Sequence, residues 1–86
     1  MEEKIRNLYQ LIASMETEAD CEALFNDLCT EKEIEKMAER VYAAQLLLEG
    51  NTYNQVMAQS NISSATLSRV SRSVKYGQGY SKFLQK

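Results

Sequence analysis

The sequence predicts an all-α protein of about six helices, and three observations lead to this fold class. The 86 residues include no proline and three glycines, so few positions interrupt a helix. Residues that favour helices, such as Glu, Leu, Ala, Lys and Gln, are frequent. Apolar residues recur three and four positions apart, as on one face of a helix. Because so short a chain buries a modest core, we expect residues 1–86 to form a single domain that benefits from a partner chain.

The first two helices are predicted from apolar stripes and a capping residue. An amphipathic helix is expected over residues 3–15, with an apolar side made of Ile5, Leu8, Ile12 and Met15. Thr17 is the expected N-cap of a second helix that ends at Cys29. The apolar side of that helix consists of Cys21, Leu24, Phe25 and Leu28. Such stripes indicate core or interface surfaces, and we expect residues 1–50 to form the dimerisation core.

A third helix is predicted over residues 31–49. Thr30 and Glu33 match the capping box, in which each side chain accepts a hydrogen bond from the backbone amide of the other residue. Gly50 stands where a left-handed residue commonly ends a helix. This helix is expected to be the longest element of the protein.

No constellation of residues indicates an enzyme, a metal site or a cofactor. Cys21 and Cys29 are eight residues apart and the sequence has no histidine, so we expect free, buried thiols. Carboxylates in the third helix alternate with lysine and arginine, which is typical of a solvated face. The charged start and the lack of a long apolar run predict a cytoplasmic protein without a membrane span.

Charge is strongly segregated along the chain. Residues 1–50 hold twelve acids and five bases, whereas residues 51–86 hold five bases and no acid. The two halves therefore carry −7 and +5, although the whole chain carries only −2. A positive half attracts phosphate whatever the total charge, because salt confines each field to about 8 Å.

Residues 51–76 predict two short helices joined by a tight turn. Thr52 is the expected N-cap of the first, with Val56 and Met57 directed inward. Asn61 is expected to adopt positive φ, which asparagine tolerates better than most residues, and Ile62 to fill the helix crossing. Ser63 or Ser64 is expected to cap the second helix. A short final helix is expected within residues 77–86, with apolar positions Tyr80, Phe83 and Leu84.

The second of these helices has two contrasting faces. Leu67, Val70 and Val74 cluster on one side and would anchor it to the core. The opposite side carries Ala65, Ser68, Arg69, Arg72 and Tyr76. Small residues permit close approach to base edges, serine exchanges hydrogen bonds there, and arginine suits guanine or phosphate. These properties predict a helix-turn-helix that binds double-stranded DNA in the major groove.

The residues predicted to bind DNA are Thr52, Tyr53, Ser63, Ser64, Ala65, Thr66, Ser68, Arg69, Arg72 and Lys75. An ordinary solvated helical hairpin would explain the serines and an arginine or two, but it gives no reason for 36 residues without an acid. The alternative function is a helical protein-interaction module or adaptor in a regulatory complex, which would more often expose an apolar groove.

Three segments resemble the trp repressor-like family, most closely its YerC/YecD branch. They read FNDLCTEKEIEKMAERV, LLLEGNTY and SATLSRV, and the likeness covers about residues 24–76. The resemblance implies a bacterial transcription regulator that forms an intertwined, all-helical homodimer with two projecting helix-turn-helix heads. No effector is implied for the YerC/YecD branch.

The resemblance also implies a possible effector pocket. Thr30, Arg40, Arg69 and Ser73 match polar residues that face bound tryptophan in the trp repressor. Val70, however, stands where the family has a glycine beside the indole ring. A stiff, branched side chain there would overpack the slot, so we expect DNA binding that does not depend on tryptophan.

Overall fold

A computed structural model describes residues 2–84, and this part of the chain contains six helices and no strand. The helices are α1 (Glu3–Ala13), α2 (Glu18–Leu28), α3 (Glu31–Leu48), α4 (Tyr53–Gln59), α5 (Ser64–Tyr76) and α6 (Gly79–Leu84). The predicted all-α class is confirmed, and the predicted helix ends differ from these by one or two residues. No helix within these residues is both long and apolar enough to cross a bilayer.

The chain divides into two compact units, with the boundary between Ile34 and Glu35. In the first unit, side chains cap the helices much as expected. The Thr17 hydroxyl accepts a hydrogen bond from the Asp20 amide at 3.0 Å and thereby begins α2. The Thr30 hydroxyl accepts from the Glu33 amide at 3.1 Å, and the Glu33 carboxylate accepts from the Thr30 amide at 2.8 Å. The predicted capping box is therefore confirmed.

Neither α1 nor α2 contains a buried residue in the single chain. Ile5 and Leu8 of α1 stay exposed although they belong to its apolar side. Cys21 and Cys29 are free thiols as expected, but both are only partly buried. The expectation of buried thiols was therefore wrong for the chain alone, because the side of α2 that carries Cys21, Leu24 and Phe25 is only partly covered.

The second unit has a core of its own, built from α3, α4, α5 and the turn that joins α4 to α5. Its buried residues are Ala43, Ala44, Leu46, Val56, Ile62, Leu67 and Val70, and Leu47, Val74, Tyr80 and Leu84 pack against them. The two alanines of α3 are fully buried in this core. This core fixes the position of α5.

Gly50 and Asn51 set the direction of the chain between α3 and α4. Gly50 has φ of +96°, which confirms the predicted left-handed residue at the end of α3. The Asn51 side-chain amide then donates to the Leu46 carbonyl at 2.9 Å, and the Asn51 backbone amide donates to the same oxygen at 3.1 Å. These bonds satisfy a carbonyl that the end of the helix would otherwise leave open.

Two expectations about the turn between α4 and α5 were wrong. Asn61 does not have positive φ, and no residue other than glycine does within residues 2–84. Extended backbone at Ser60 (φ −137°, ψ 162°) ends α4 instead, and its hydroxyl donates to the Val56 carbonyl at 2.7 Å. Met57 is exposed rather than directed inward, because Val56 alone fills the core position of α4. Ile62 is buried at the crossing as predicted.

Candidate nucleic-acid interface

The first helix of the candidate interface begins with a complete capping box. The Thr52 hydroxyl accepts from the Gln55 amide at 3.2 Å, and the Gln55 side-chain oxygen accepts from the Thr52 amide at 2.8 Å. Thr52 is therefore the N-cap, as predicted. The contribution of Gln55 was missed, although a glutamine three residues after a threonine is the signal for this motif. The box holds Tyr53 at the exposed first position of α4.

Ser63, rather than Ser64, caps the second helix. The Ser63 hydroxyl accepts from the Thr66 amide at 3.2 Å and donates to the Thr66 hydroxyl at 3.0 Å. Both hydroxyls are therefore engaged in starting α5. Ser64 is the first helical residue, and its exposed side chain makes no hydrogen bond of this kind. Ser64 is thus available to an outside partner at the helix N-terminus.

The two faces of α5 are separated as the sequence predicts. Leu67 and Val70 are buried and Val74 packs against the core, so one side of the helix is fixed to the second unit. The exposed residues of the opposite side are Ser64, Ala65, Ser68, Arg69, Arg72, Lys75 and Tyr76. The face presents small residues near the helix N-terminus and cations toward its C-terminal half. One continuous surface therefore combines small residues, which a partner can approach closely, with positively charged residues.

Residues of α4 and α5 come together at one edge of this surface. A surface depression of about 410 Å³ is lined by Tyr53, Ser68, Ser71, Arg72, Lys75 and Tyr76. Four of these were assigned to DNA binding from the sequence, and the structure brings them together. Tyr76 was placed on the exposed face but not among the binding residues, and it is 82% exposed. Its position four residues after Arg72 was the signal that could have included it.

A second depression lies on another side of α5. It has a volume of about 380 Å³ and is lined by Arg40, Thr66, Arg69, Val70, Ser73 and Tyr80. Three of the four predicted effector residues, Arg40, Arg69 and Ser73, therefore meet here. Thr30 is not among the lining residues, and it belongs to the first unit, where it caps α3. Tyr80 was not anticipated at this site. We call this depression the Arg40 groove.

The two surfaces of α5 carry cations and no acid. Among residues 2–84, no three or more Cys, Asp or Glu side chains are grouped so that they could hold a metal ion. Residues 51–86 contain no acid, so the charge of the whole helix-turn-helix segment is positive. An acid-free, partly small and partly cationic surface on a fixed helix fits a polyanion.

Comparison with known proteins identifies the family. The family model described as Trp repressor protein matches residues 3–86. The uncharacterised protein YerC of Bacillus subtilis (strain 168) is 39% identical over 74 residues, which are 86% of this chain and 71% of YerC. The crystal structure of a protein provisionally described as a Trp repressor from Staphylococcus aureus superimposes with a TM-score of 0.88. That match has 33% identity and covers 94% of this chain and 82% of the other. The chain therefore belongs to the Trp repressor family of helix-turn-helix DNA-binding regulators.

Proposed function

We propose that this protein is a sequence-specific transcriptional regulator that binds duplex DNA as a homodimer, with α5 in the major groove. The observation that carries the proposal is the pair of faces on α5. One face is fixed in the core through Leu67 and Val70, and the other is exposed, acid-free and cationic. A helix that is held rigidly and presents such a surface meets the requirements of base readout.

Individual residues take different roles in this proposal. Ser64, Ala65 and Ser68 lie near the N-terminal end of α5, where they would approach base edges. Arg72 and Lys75 lie in its C-terminal half beside Tyr53, where they would bind backbone phosphates. Phosphate contacts set the register of the protein on the duplex, and base contacts set its sequence preference.

Thr52, Ser63, Thr66 and Arg69 complete the proposed interface. The side-chain oxygens of Thr52 and Ser63 cap the two helices, so these residues would position the backbone amides of the helix N-termini near phosphate. Thr66 is partly buried and supports the Ser63 cap. Arg69 is exposed and also lines the Arg40 groove, so we assign it both to the DNA interface and to the effector pocket.

The homodimer is supported by apolar surface that the single chain leaves uncovered. Ile5, Leu8 and Leu11 of α1 are exposed, and Leu28 at the end of α2 is exposed as well. Exposed apolar surface of this kind in a small protein marks an interaction site. A second copy would cover it symmetrically and would also present a second α5 helix, which suits a palindromic site.

We also propose that DNA binding does not depend on tryptophan. Val70 is only 2% exposed, packs in the core and also lines the Arg40 groove. Its side chain occupies space that a glycine would leave to an indole ring, and overpacking of such a slot costs about 1–3 kcal/mol. That cost corresponds to a loss of affinity of up to roughly a hundredfold.

Fluorescence anisotropy with genomic fragments at several salt concentrations tests DNA binding. We expect selective binding that weakens steeply with salt. Salt-independent affinity, or equal affinity for all fragments, would contradict the proposal. Selection from random DNA should then give a different preferred site for Ser68→Ala than for the wild type, whereas Ser14→Ala, on the exposed end of α1, should not change the site.

Calorimetric titration with L-tryptophan tests the effector proposal. We expect no saturable binding in the micromolar range and the same DNA affinity with and without tryptophan. Micromolar binding that tightens the DNA complex would show that the groove accepts the ring in spite of Val70.

A further inference from the structure

The last helix, α6, is short but is fixed to the second unit. Tyr80 and Leu84 are partly buried and pack against the core, whereas Phe83 between them is 77% exposed. A helix of six residues has little stability of its own, so its position depends on these two side chains. Tyr80 is the larger of the two, and it is the residue that α6 contributes to the Arg40 groove.

The connection between α5 and α6 leaves little freedom for α6 to lie elsewhere. The Gly77 amide donates to the Ser73 carbonyl at 2.8 Å and closes the last turn of α5. A Cβ atom on residue 77 would lie only 2.6 Å from the same carbonyl oxygen. Only glycine therefore permits this close approach, and Gln78 alone separates it from the start of α6. The short junction directs Tyr80 back along α5.

Tyr80 lies beside one particular stripe of α5. Thr66, Arg69, Val70 and Ser73 line the Arg40 groove with it, and at about 100° per residue they fall on one side of the helix. This side lies between the core face of Leu67 and the exposed face of Ser68. A rotation of α5 toward the groove would therefore move Ser68 and its neighbours away from their present position.

We propose that Tyr80 is a positioning residue for the recognition helix α5. Its ring forms one wall of the Arg40 groove and prevents α5 from rotating toward Arg40 of α3. The orientation of the DNA-facing surface is thus set by a residue of the chain itself. The consequence for DNA affinity rests on the proposed function, whereas the effect on α5 does not.

The matched variants are Tyr80→Ala and Phe83→Ala, because both remove an aromatic ring from α6 and only Tyr80 is partly buried against the core. Hydrogen exchange is measured on the free proteins at a temperature where circular dichroism shows each to be fully folded. We expect faster exchange over residues 64–76 in Tyr80→Ala than in the wild type, and wild-type exchange in Phe83→Ala. Tyr80→Phe should behave as the wild type, since the ring and not the hydroxyl forms the wall.

DNA affinity provides the second measurement. We expect Tyr80→Ala to bind about tenfold more weakly with an unchanged salt dependence, which is the size of a typical coupling between sites. A residue that only stabilised the fold would lower the melting temperature and leave the affinity of the folded protein unchanged. Gly77→Ala strains the junction that positions α6 while keeping Tyr80, so it should weaken binding in the same way, and it decides the question if Tyr80→Ala does not fold.

Two results would overturn the inference. One is wild-type exchange in α5, or a lowered melting temperature with wild-type DNA affinity, in folded Tyr80→Ala, or in Gly77→Ala if the former is unfolded. The other is an equal effect of Phe83→Ala. If the wild-type protein bound no DNA, the proposed function would fall, and the exchange measurement alone would decide whether Tyr80 holds α5.

Discussion

Two helices of this protein begin with the same hydrogen-bonded cap but carry different charge. At α3, Thr30 and Glu33 exchange hydrogen bonds of 3.1 and 2.8 Å. At α4, Thr52 and Gln55 exchange bonds of 3.2 and 2.8 Å. The geometry is nearly identical, yet the first box contains a carboxylate and the second a neutral amide.

The difference shows that the segregation of charge along the chain extends to the helix caps. A carboxylate near a helix N-terminus is favoured by the helix dipole, so glutamate is the more stabilising residue for such a box. Gln55 forms the same two bonds without adding a negative charge to residues 51–86, which contain no acid. Local stability alone does not explain this choice, whereas binding of a polyanion does.

The two units also differ in where their apolar side chains go. Residues 35–86 have a core with fully buried side chains, including Val56 and Leu67. In the first unit, α1 and α2 contain no buried residue. The first unit therefore carries the surface proposed for a partner chain, and the second carries the surface proposed for DNA.

The largest expected effect comes from charging the apolar side of α1. Leu8→Glu should shift the protein toward dissociated and unfolded chains, since covering one leucine contributes about 1.5–3 kcal/mol and each dimer contains two copies. About 3 kcal/mol per dimer corresponds to a more than hundredfold weaker association. Light scattering and circular dichroism over a range of concentrations measure this. Gln10→Glu introduces the same charge on the opposite, exposed side of α1 and should leave the dimer intact.

The sequence was sufficient to predict the helices because their signals are local. Apolar spacing and the capping residues Thr17, Thr30 and Thr52 placed the starts of three helices correctly. The two faces of α5 also followed from spacing alone, since the core side and the exposed side of one helix are fixed by its periodicity.

The features that were missed depend on contacts between helices, or on which of several allowed backbone conformations a turn adopts. Asn61 tolerates positive φ, but the chain turns through extended backbone at Ser60 instead. The place of Tyr80 in the Arg40 groove could not be read from its spacing, because it depends on how α6 packs beside α5. The exposure of Cys21 depends on which surfaces the single chain covers.

Removing a cation from the proposed DNA-binding surface should weaken DNA binding more than removing one from residues 1–50. Arg72→Ala should weaken binding to all DNA sequences about tenfold, and lower the slope of log affinity against log salt by about 0.9 for each phosphate that the variant no longer neutralises. Lys36→Ala removes the same charge from the exposed part of α3 and serves as the control. Anisotropy titrations at several salt concentrations give both quantities. An equal effect of the two substitutions would mean that overall charge, and not this surface, determines binding.

Exchanging the charges of the two capping boxes tests whether the neutral box of α4 serves DNA binding. Gln55→Glu keeps both hydrogen bonds and should preserve or slightly raise the melting temperature. It should nevertheless weaken DNA binding roughly fivefold. Each chain of the proposed dimer gains one screened surface carboxylate, and the two carboxylates together oppose binding to the DNA phosphates by about 1 kcal/mol. Glu33→Gln, the reverse change in the other box, should leave DNA affinity unchanged. Unaltered DNA affinity in Gln55→Glu would show that the neutral box has no connection with binding.

The smallest expected effect is a pH dependence of folding stability, which the capping box of Thr30 and Glu33 has and the box of Thr52 and Gln55 lacks. The backbone amide of Thr30 donates to the Glu33 carboxylate, and together with the Thr30 hydroxyl contact it lowers the pKa of Glu33 from its ordinary 4.5. Because the folded protein holds the proton less tightly than the unfolded chain, stability rises with pH in this range. The contribution of the charged carboxylate is fully present above pH 4.5 and is lost as the pH falls through the lowered pKa of the folded state.

Glu33→Gln keeps an acceptor at this position and removes the titration, so it isolates the effect. We expect the difference in unfolding free energy between the wild type and Glu33→Gln to be constant above pH 4.5 and to change in favour of the variant below it. Carbon-13 NMR titration of the Glu33 carboxyl group locates the pKa directly, and a value at or above 4.5 would show that the cap does not hold the carboxylate as the hydrogen bonds indicate. The box at Thr52 and Gln55 contains no titrating group and should hold α4 equally well across this range.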